Sequence, residues 1–106
     1  RERIADARIA IEQARLLVLN AAWKLDVGGP LNALSEVSQI KVAVPRMALQ
    51  VIDFAMQIHG GGGMSDAPPL AGAWTAARAL RLADGPDEVH QGVVARLELG
   101  KYGAKR

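Results

Sequence analysis

Cysteine is absent from the 106 residues, which excludes a disulfide framework, thiol catalysis and any zinc or iron–sulfur site built on cysteine. Aromatic residues are scarce at 4%, whereas apolar residues reach 50%, most of them Ala, Leu, Val and Ile. That balance favours helices packed on small and aliphatic side chains over an aromatic-rich β-sandwich. Two histidines are too few for a histidine metal cluster, and no metal site is expected. Charge of one sign is also lacking. The net charge is +2, with basic residues scattered among acids, so no basic patch marks the chain for nucleic acid. No apolar run approaches the roughly 20 residues that a membrane span needs. What remains is globular composition, with 23% charged residues and a length that fits one domain. A compact domain of this size would have a radius of gyration of about 13 Å. The chain opens at Arg1, without an initiator methionine, on a sequence that reads as mid-helix, so it is expected to be a fragment of a longer protein.

The periodicity is helical throughout. Ile4, Ile11, Val18 and Leu25 recur every seventh residue, with Ala7, Ala14 and Ala21 between them and Ile9, Leu16 and Trp23 on an adjacent stripe. This predicts a helix from Arg1 to about Val27 with a wide buried face, whose alanines admit a close neighbour and whose Trp23, like Trp74 later, belongs to the core. Gly28-Gly29-Pro30 ends it, a glycine cap followed by a proline. A second helix is predicted from about Leu34 to Ile58. Val37, Val44, Val51 and Ile58 form one of its repeats, and Ile40, Met47 and Phe54 form the other. Ser35 is its expected N-cap, and Pro45 should kink or briefly break it near Ile40–Val44. A third helix fits Leu70 to Leu82. A fourth starts on Pro86, with Asp87 and Glu88 in its first turn, and ends near Gly100 to Gly103. Lys101, Lys105 and Arg106 suit its C-terminus, and the last residues should fray. No strand pattern occurs and the links are short. The expected fold is therefore all-α, an up-and-down bundle of about four helices in which the two long ones pair antiparallel and the short ones cover them.

Two segments could carry chemistry. Gly60 to Gly63 follow a helix rather than a strand and lack the Gly-Lys-Ser/Thr ending of a phosphate loop. Four glycines in a row predict an exposed, permissive backbone, neither helix nor strand. The plain reading is a cap and interhelix turn; the functional one is a backbone surface open to a ligand, with Gln57 and His59 beside it. Asp84-Gly85-Pro86-Asp87-Glu88 is plainly a helix start in which acids meet free amides, and functionally a carboxylate at a turn that could act as a general base. His59 and His90 read as surface or capping groups. Spacing alone favours the plain reading in each case.

These segments together carry a family resemblance. Ala21-Ala22-Trp23-Lys24-Leu25-Asp26 resembles part of the first helix of the acyl-CoA dehydrogenase C-terminal domain. Ile40-Lys41-Val42-Ala43 and Ala55-Met56-Gln57-Ile58-His59-Gly60-Gly61-Gly62-Gly63 resemble its next helix and the Gln-x-x-Gly-Gly-x-Gly turn. Arg81 to His90 stands where the family has Glu-Gly-Thr-Ser-Gln-Ile-Gln. The motifs stand in family order and spacing over nearly the whole chain, and they are most similar to the branch of family members 10 and 11.

The resemblance implies an FAD-dependent enzyme that oxidises acyl-CoA to trans-2-enoyl-CoA, of which residues 1–106 are the C-terminal helical domain, inactive alone. It implies that Gln57, Ile58, His59, Gly60 and Gly61 contact the ADP half of the FAD held by a neighbouring subunit. It further implies Asp84 as the general base, Gly85 as a substrate contact, and Pro86, Asp87 and Glu88 as the segment touching FAD. The implied partners are an acyl-CoA substrate, further copies in a homodimer or homotetramer, and an electron-transfer flavoprotein or similar acceptor. The expected location is cytoplasmic in a bacterium, mitochondrial or peroxisomal in a eukaryote. The alternative is a structural oligomerisation module of a flavoprotein-like parent whose active site has drifted. The chain departs from the family pattern in several places, among them Thr75-Ala76, where many members have Arg-Asp. Asp84 replaces glutamate and shortens the reach by about 1.5 Å, one carbon–carbon bond. Pro86 replaces threonine, Glu88 replaces glutamine, and Ala83 stands where a tyrosine often precedes the base, which would widen the acyl pocket.

Overall fold

The computed structural model describes residues 1–103; Lys105, Arg106 and the expected terminal fraying lie outside the described residues. Helix α1 spans Glu2–Asn32, α2 Leu34–His59, α3 Leu70–Ala79 and α4 Asp87–Gly100, with a 3-10 turn at Gly60–Met64. No strand occurs among the described residues.

The expected stop in α1 is present. Gly29 leaves the helical region at φ 77° and ψ −175°, and Pro30 starts one last turn before the corner at Ala33. Asn32 folds back, and its Nδ2 donates to the Lys24 carbonyl at 2.9 Å, tying the last turn to the body of the helix. Lys24 Nζ then meets Glu36 Oε2 at 3.3 Å across the corner. The first residues of α2 differ from expectation: Ala33 occupies the N-cap position, and Ser35 Oγ instead accepts from Gln39 Nε2 at 3.0 Å. Pro45 is buried and α2 runs through it without interruption, so the continuing heptad pattern outweighs the one lost hydrogen bond.

Helix α2 is the hub. α1, α3 and α4 each pack on it, and among the described residues no close backbone approach joins α1 to α3 or α4, or α3 to α4. Arg3 near the start of α1 lies over the Phe54 ring near the end of α2, 5.6 Å from its centroid, so the two long helices are antiparallel. The core is thin and built of small residues: Ala14 and Ala21 from α1, Ala33 at the corner, Leu49 from α2 and Ala77 from α3. The alanines therefore do admit a close neighbour. The wide buried face does not form, because Ile9, Leu16 and Trp23 are all more than half exposed, Trp23 at 60%. Trp74 is half-buried. With one 31-residue helix along its side, the molecule measures 52 × 25 × 23 Å. Its radius of gyration is 16.5 Å, larger than a compact domain would have.

The glycine run is not shapeless. Gly60 turns out of α2 at φ 61°, and residues 60–64 continue as the 3-10 turn, a tighter coil that commonly finishes a helix. α3 ends at Ala79, three residues earlier than the pattern suggests. Leu80, Arg81 and Leu82 follow it with amides bonded three residues back, to Ala77, Arg78 and Ala79. α4 starts one residue later than expected: Pro86 is its N-cap, and the Pro86 carbonyl accepts from Val89 N at 3.0 Å.

Candidate active site

Helix α2 holds the two candidate segments at different levels. The turn after α3 sits against Lys41, whereas Gln57 lies sixteen residues further on, about 24 Å along the helix axis at 1.5 Å per residue. The structure therefore does not bring Asp84 and the glycine turn into one small site.

Asp84 stands at a backbone corner. Its φ is 55°, the only positive value among the described non-glycine residues, and Gly85 follows at 98°. Among non-glycine residues, Asp and Asn adopt this left-handed conformation most readily. The corner thus gives a local reason for aspartate here in place of the longer glutamate. Gly85 is favoured by its φ, and a Cβ there would also lie 2.8 Å from His90 Nε2, so the ring would have to move. That same Nε2 is 3.2 Å from the Asp84 carbonyl. The carbonyl can only accept, so Nε2 carries the proton. His90, half-buried, thereby caps the corner instead of standing free on the surface.

Beneath the corner, Lys41 Nζ donates to the carbonyls of Leu80, Ala83 at 2.7 Å and Gly85 at 3.3 Å. Asp84 and His90 line a chamber of about 430 Å³ with Lys41, and Ile40, Val44, Pro45 and Leu80 supply apolar wall. Ala83 is exposed and is not among the lining residues, so the expected widening at that position has no footing; Leu80 occupies the wall instead. Asp84 itself is exposed, on the rim of this open and almost wholly apolar chamber.

Asp87, two residues past Gly85, is 4% exposed. Its Oδ2 accepts from Arg81 Nε at 2.8 Å and lies 3.5 Å from Arg46 Nε, while Oδ1 makes no hydrogen bond. Burial pushes its pKa up, but the Arg81 hydrogen bond and the charges of Arg81 and Arg46 outweigh that and hold it below the ordinary 3.8. Asp87 thus anchors the start of α4, and its amide donates to the Arg81 carbonyl at 3.0 Å. Glu88 is exposed and makes no ion pair among the described residues.

At the other segment, Gln57, Ile58, His59, Gly60 and Gly61 are all exposed. His59 Nδ1 lies 2.8 Å from the Ala55 carbonyl. Cβ atoms added at Gly60, Gly61 or Gly62 would meet nothing within 4 Å. Gly63 is different: a Cβ there would lie 2.5 Å from the Met56 carbonyl oxygen. The outer three glycines therefore form a bare backbone surface, and the fourth packs the turn against α2. Such a surface fits a flat cofactor approached by backbone amides.

The sequence reading assigned no role to Lys41, Arg46 or Arg81. The partners of Lys41 lie 39 to 44 residues away, beyond any local pattern, and Arg46 meets Asp87 from another helix, whereas Arg81 meets Asp87 only six residues on.

The arrangement defines a helical domain that presents one carboxylate at a chamber and one bare glycine turn. A family profile described as acyl-CoA dehydrogenase, C-terminal domain, matches residues 1–99. A solved structure named "putative acyl-CoA dehydrogenase", from Mycobacterium abscessus, superposes with a TM-score of 0.95 at 74% identity, covering 96% of this chain and 25% of that one. Mouse acyl-CoA dehydrogenase family member 11 is 50% identical over 96 residues, 91% of this chain and 12% of that protein. Mouse family member 10 is 55% identical over 91% of this chain and 9% of that protein. The chain belongs to the acyl-CoA dehydrogenase family and corresponds to its C-terminal helical domain. It spans about an eighth or less of the length of these two curated relatives. Related proteins occur in bacteria and eukaryotes, and no helix among the described residues is long and apolar enough to cross a membrane.

Proposed function

We propose that the chain is the C-terminal part of an FAD-dependent acyl-CoA dehydrogenase, with Asp84 as the base that removes the α-proton of an acyl-CoA thioester. The observation that carries this reading is the left-handed corner, which presents an exposed aspartate beside an apolar chamber in a chain of this family. FAD, when bound, supplies the acceptor for the hydride that leaves the β-carbon as the α-proton goes to Asp84, giving the trans-2-enoyl product. Gly85, whose missing side chain leaves space that His90 fills, contributes its backbone to the substrate side of the corner. The bare glycine surface at Gly60 and Gly61, with Gln57, Ile58 and His59, faces the ADP half of FAD in a neighbouring subunit. Pro86 and Glu88 lie on the cofactor side of α4, and Asp87 supports that segment from beneath.

The exposed stripe of Ile9, Leu16 and Trp23 favours assembly. A contiguous apolar face of this kind is seldom left to water, and further domains or copies in a homodimer or homotetramer would cover it. The structural-module alternative predicts the same assembly without chemistry. An electron-transfer flavoprotein or similar acceptor would reoxidise the holoenzyme.

The test is Asp84→Asn in the full-length protein, followed by anaerobic bleaching of the flavin with acyl-CoA. The amide keeps the shape and cannot take the proton. Bleaching should slow by on the order of 10² to 10⁴ with FAD retained. A parental rate would leave Asp84 as a helix-start residue and favour the structural module.

A further inference from the structure

We propose that Lys41 is the positioning residue of the reaction: by donating all its ammonium protons to the turn that carries Asp84, it sets where the carboxylate stands. This inference rests on the reading of Asp84 as the base and adds a residue that acts through it.

The turn from Leu80 to Gly85 is a poor structure by itself. It begins where α3 has ended, and its last two residues are both left-handed, at φ 55° and 98°. Backbone carbonyls in such a turn need partners that no regular helix supplies. Their partners are side chains and one remote amide. Leu80, Ala83 and Gly85 take Lys41 Nζ, Asp84 takes His90 Nε2, and Arg81 takes the Asp87 amide.

A lysine ammonium has three donors and no acceptor, and three carbonyls converge on this one. Nothing is left on Nζ for a substrate, which separates positioning from catalysis. The group that converges comes from α2, the helix on which every other helix packs. The corner is thereby referred to the hub of the domain and not to the end of α3 alone.

Positioning matters more for aspartate than for glutamate. Glutamate has one more rotatable bond with which to correct a displaced backbone. Aspartate carries its carboxylate close to Cα, so a shift of the turn becomes a shift of the carboxylate of similar size. A misplacement of about 1 Å is enough to cost on the order of a hundredfold in rate. Arginine would be a poor substitute for Lys41, because its planar fork spreads the donors over three nitrogens and cannot aim them from one point.

The test uses the full-length, FAD-loaded protein with three changes at position 41: Lys41→Met, Lys41→Arg, and Lys41→Cys alkylated with 2-bromoethylamine. Alkylation rebuilds an ammonium on a side chain of nearly lysine length; the parent treated in the same way controls for cysteines elsewhere. Three quantities are read: the bleaching rate per bound flavin at saturating acyl-CoA, the affinity for enoyl-CoA product, and the thermal midpoint. Lys41→Met should bleach about tenfold to a hundredfold more slowly per bound flavin, with product affinity within about twofold of the parent. Lys41→Arg should stay slow, and the aminoethylated cysteine should recover most of the rate.

A purely structural lysine would lower the thermal midpoint and flavin content and leave the rate per bound flavin within about twofold, and that result overturns the proposal. Should Lys41→Met fail to hold flavin, the other two variants decide: equal rates for arginine and aminoethylcysteine also overturn it. Asp84→Asn run in parallel keeps the two ideas apart. If it blocks bleaching while the Lys41 variants stay fast, only the role of Lys41 falls. If it bleaches at the parental rate, the reading of Asp84 falls and the role of Lys41 with it.

Discussion

The two glycine-bearing turns are built on opposite plans. The turn at Gly60–Met64 is held by its own backbone and by Ser65, whose Oγ lies 2.6 and 2.9 Å from the Gly62 and Ala67 carbonyls, with one proton to share between them. Its outer three glycines have open space where a Cβ would stand. The turn at Asp84–Pro86 is held from outside, by Lys41 of α2, by His90 of α4 and by Asp87, which grips Arg81 before the corner and Arg46 on α2. The first plan yields an accessible surface; the second yields a fixed point. A base must be placed to a fraction of an ångström, whereas a cofactor edge needs only room and exposed amides.

The contrast is sharpest at the one glycine in each turn where an added Cβ would meet a neighbour. Gly85→Ala forces a Cβ into His90 at a φ that alanine avoids, so it should both destabilise the protein and slow flavin bleaching about tenfold or more in the full-length enzyme. Equal bleaching rates would mean that the corner has no chemical task. Gly63→Ala meets backbone of Met56, and overpacking of that kind costs about 1–3 kcal/mol. Urea unfolding should show this loss, with the bleaching rate per bound flavin unchanged.

A smaller effect concerns Asp87. Its carboxyl is held below 3.8 in the folded state, so its contribution is complete above that value and is lost as pH falls through the lower folded-state value. Asp87→Asn should therefore flatten the loss of stability on acidification below about pH 4, measured as urea midpoint against pH. An unchanged acid slope would remove the ion pairs from the account. The smallest effect is expected at Gly61. Gly61→Ala has open space and should leave stability unchanged or raise it by up to about 1 kcal/mol. The same change should weaken FAD retention in the full-length protein, and retention equal to the parent's would take this turn away from the cofactor.

Much of the architecture was legible because it depends on local rules. Gly28-Gly29-Pro30 marks a helix end wherever it occurs, and Gly85-Pro86-Asp87-Glu88 marks a start to within one residue. The spacing of Ala14 and Ala21 identified the close-packed side of α1. The exposed side was misread for a physical reason. Periodicity reports that a stripe is apolar, not which surface covers it, and Ile9, Leu16 and Trp23 face no other part of this chain closely enough to be buried. The glycine run was misjudged in another way: propensity counts against helix at each glycine separately, whereas a finishing turn needs only a few bonds. The anchoring of the corner was out of reach altogether. Nothing in the residues around Asp84 indicates that a lysine some forty positions earlier, or an aspartate buried between two arginines, would secure it.

Because α1, α3 and α4 each lean on α2 and not on one another, the domain is a spine with three detachable ribs. Any one rib can lift while the other two remain seated, whereas the spine is freed only when all have gone. Amide protons of α2 should thus exchange with solvent last, near the rate set by global unfolding, and those of α1 earlier and as an independent group. Asp84 hangs from the lysine of that spine, so its corner should share the slow clock of α2, while Gly60 to Gly62, a few turns away at the free end, should exchange at once.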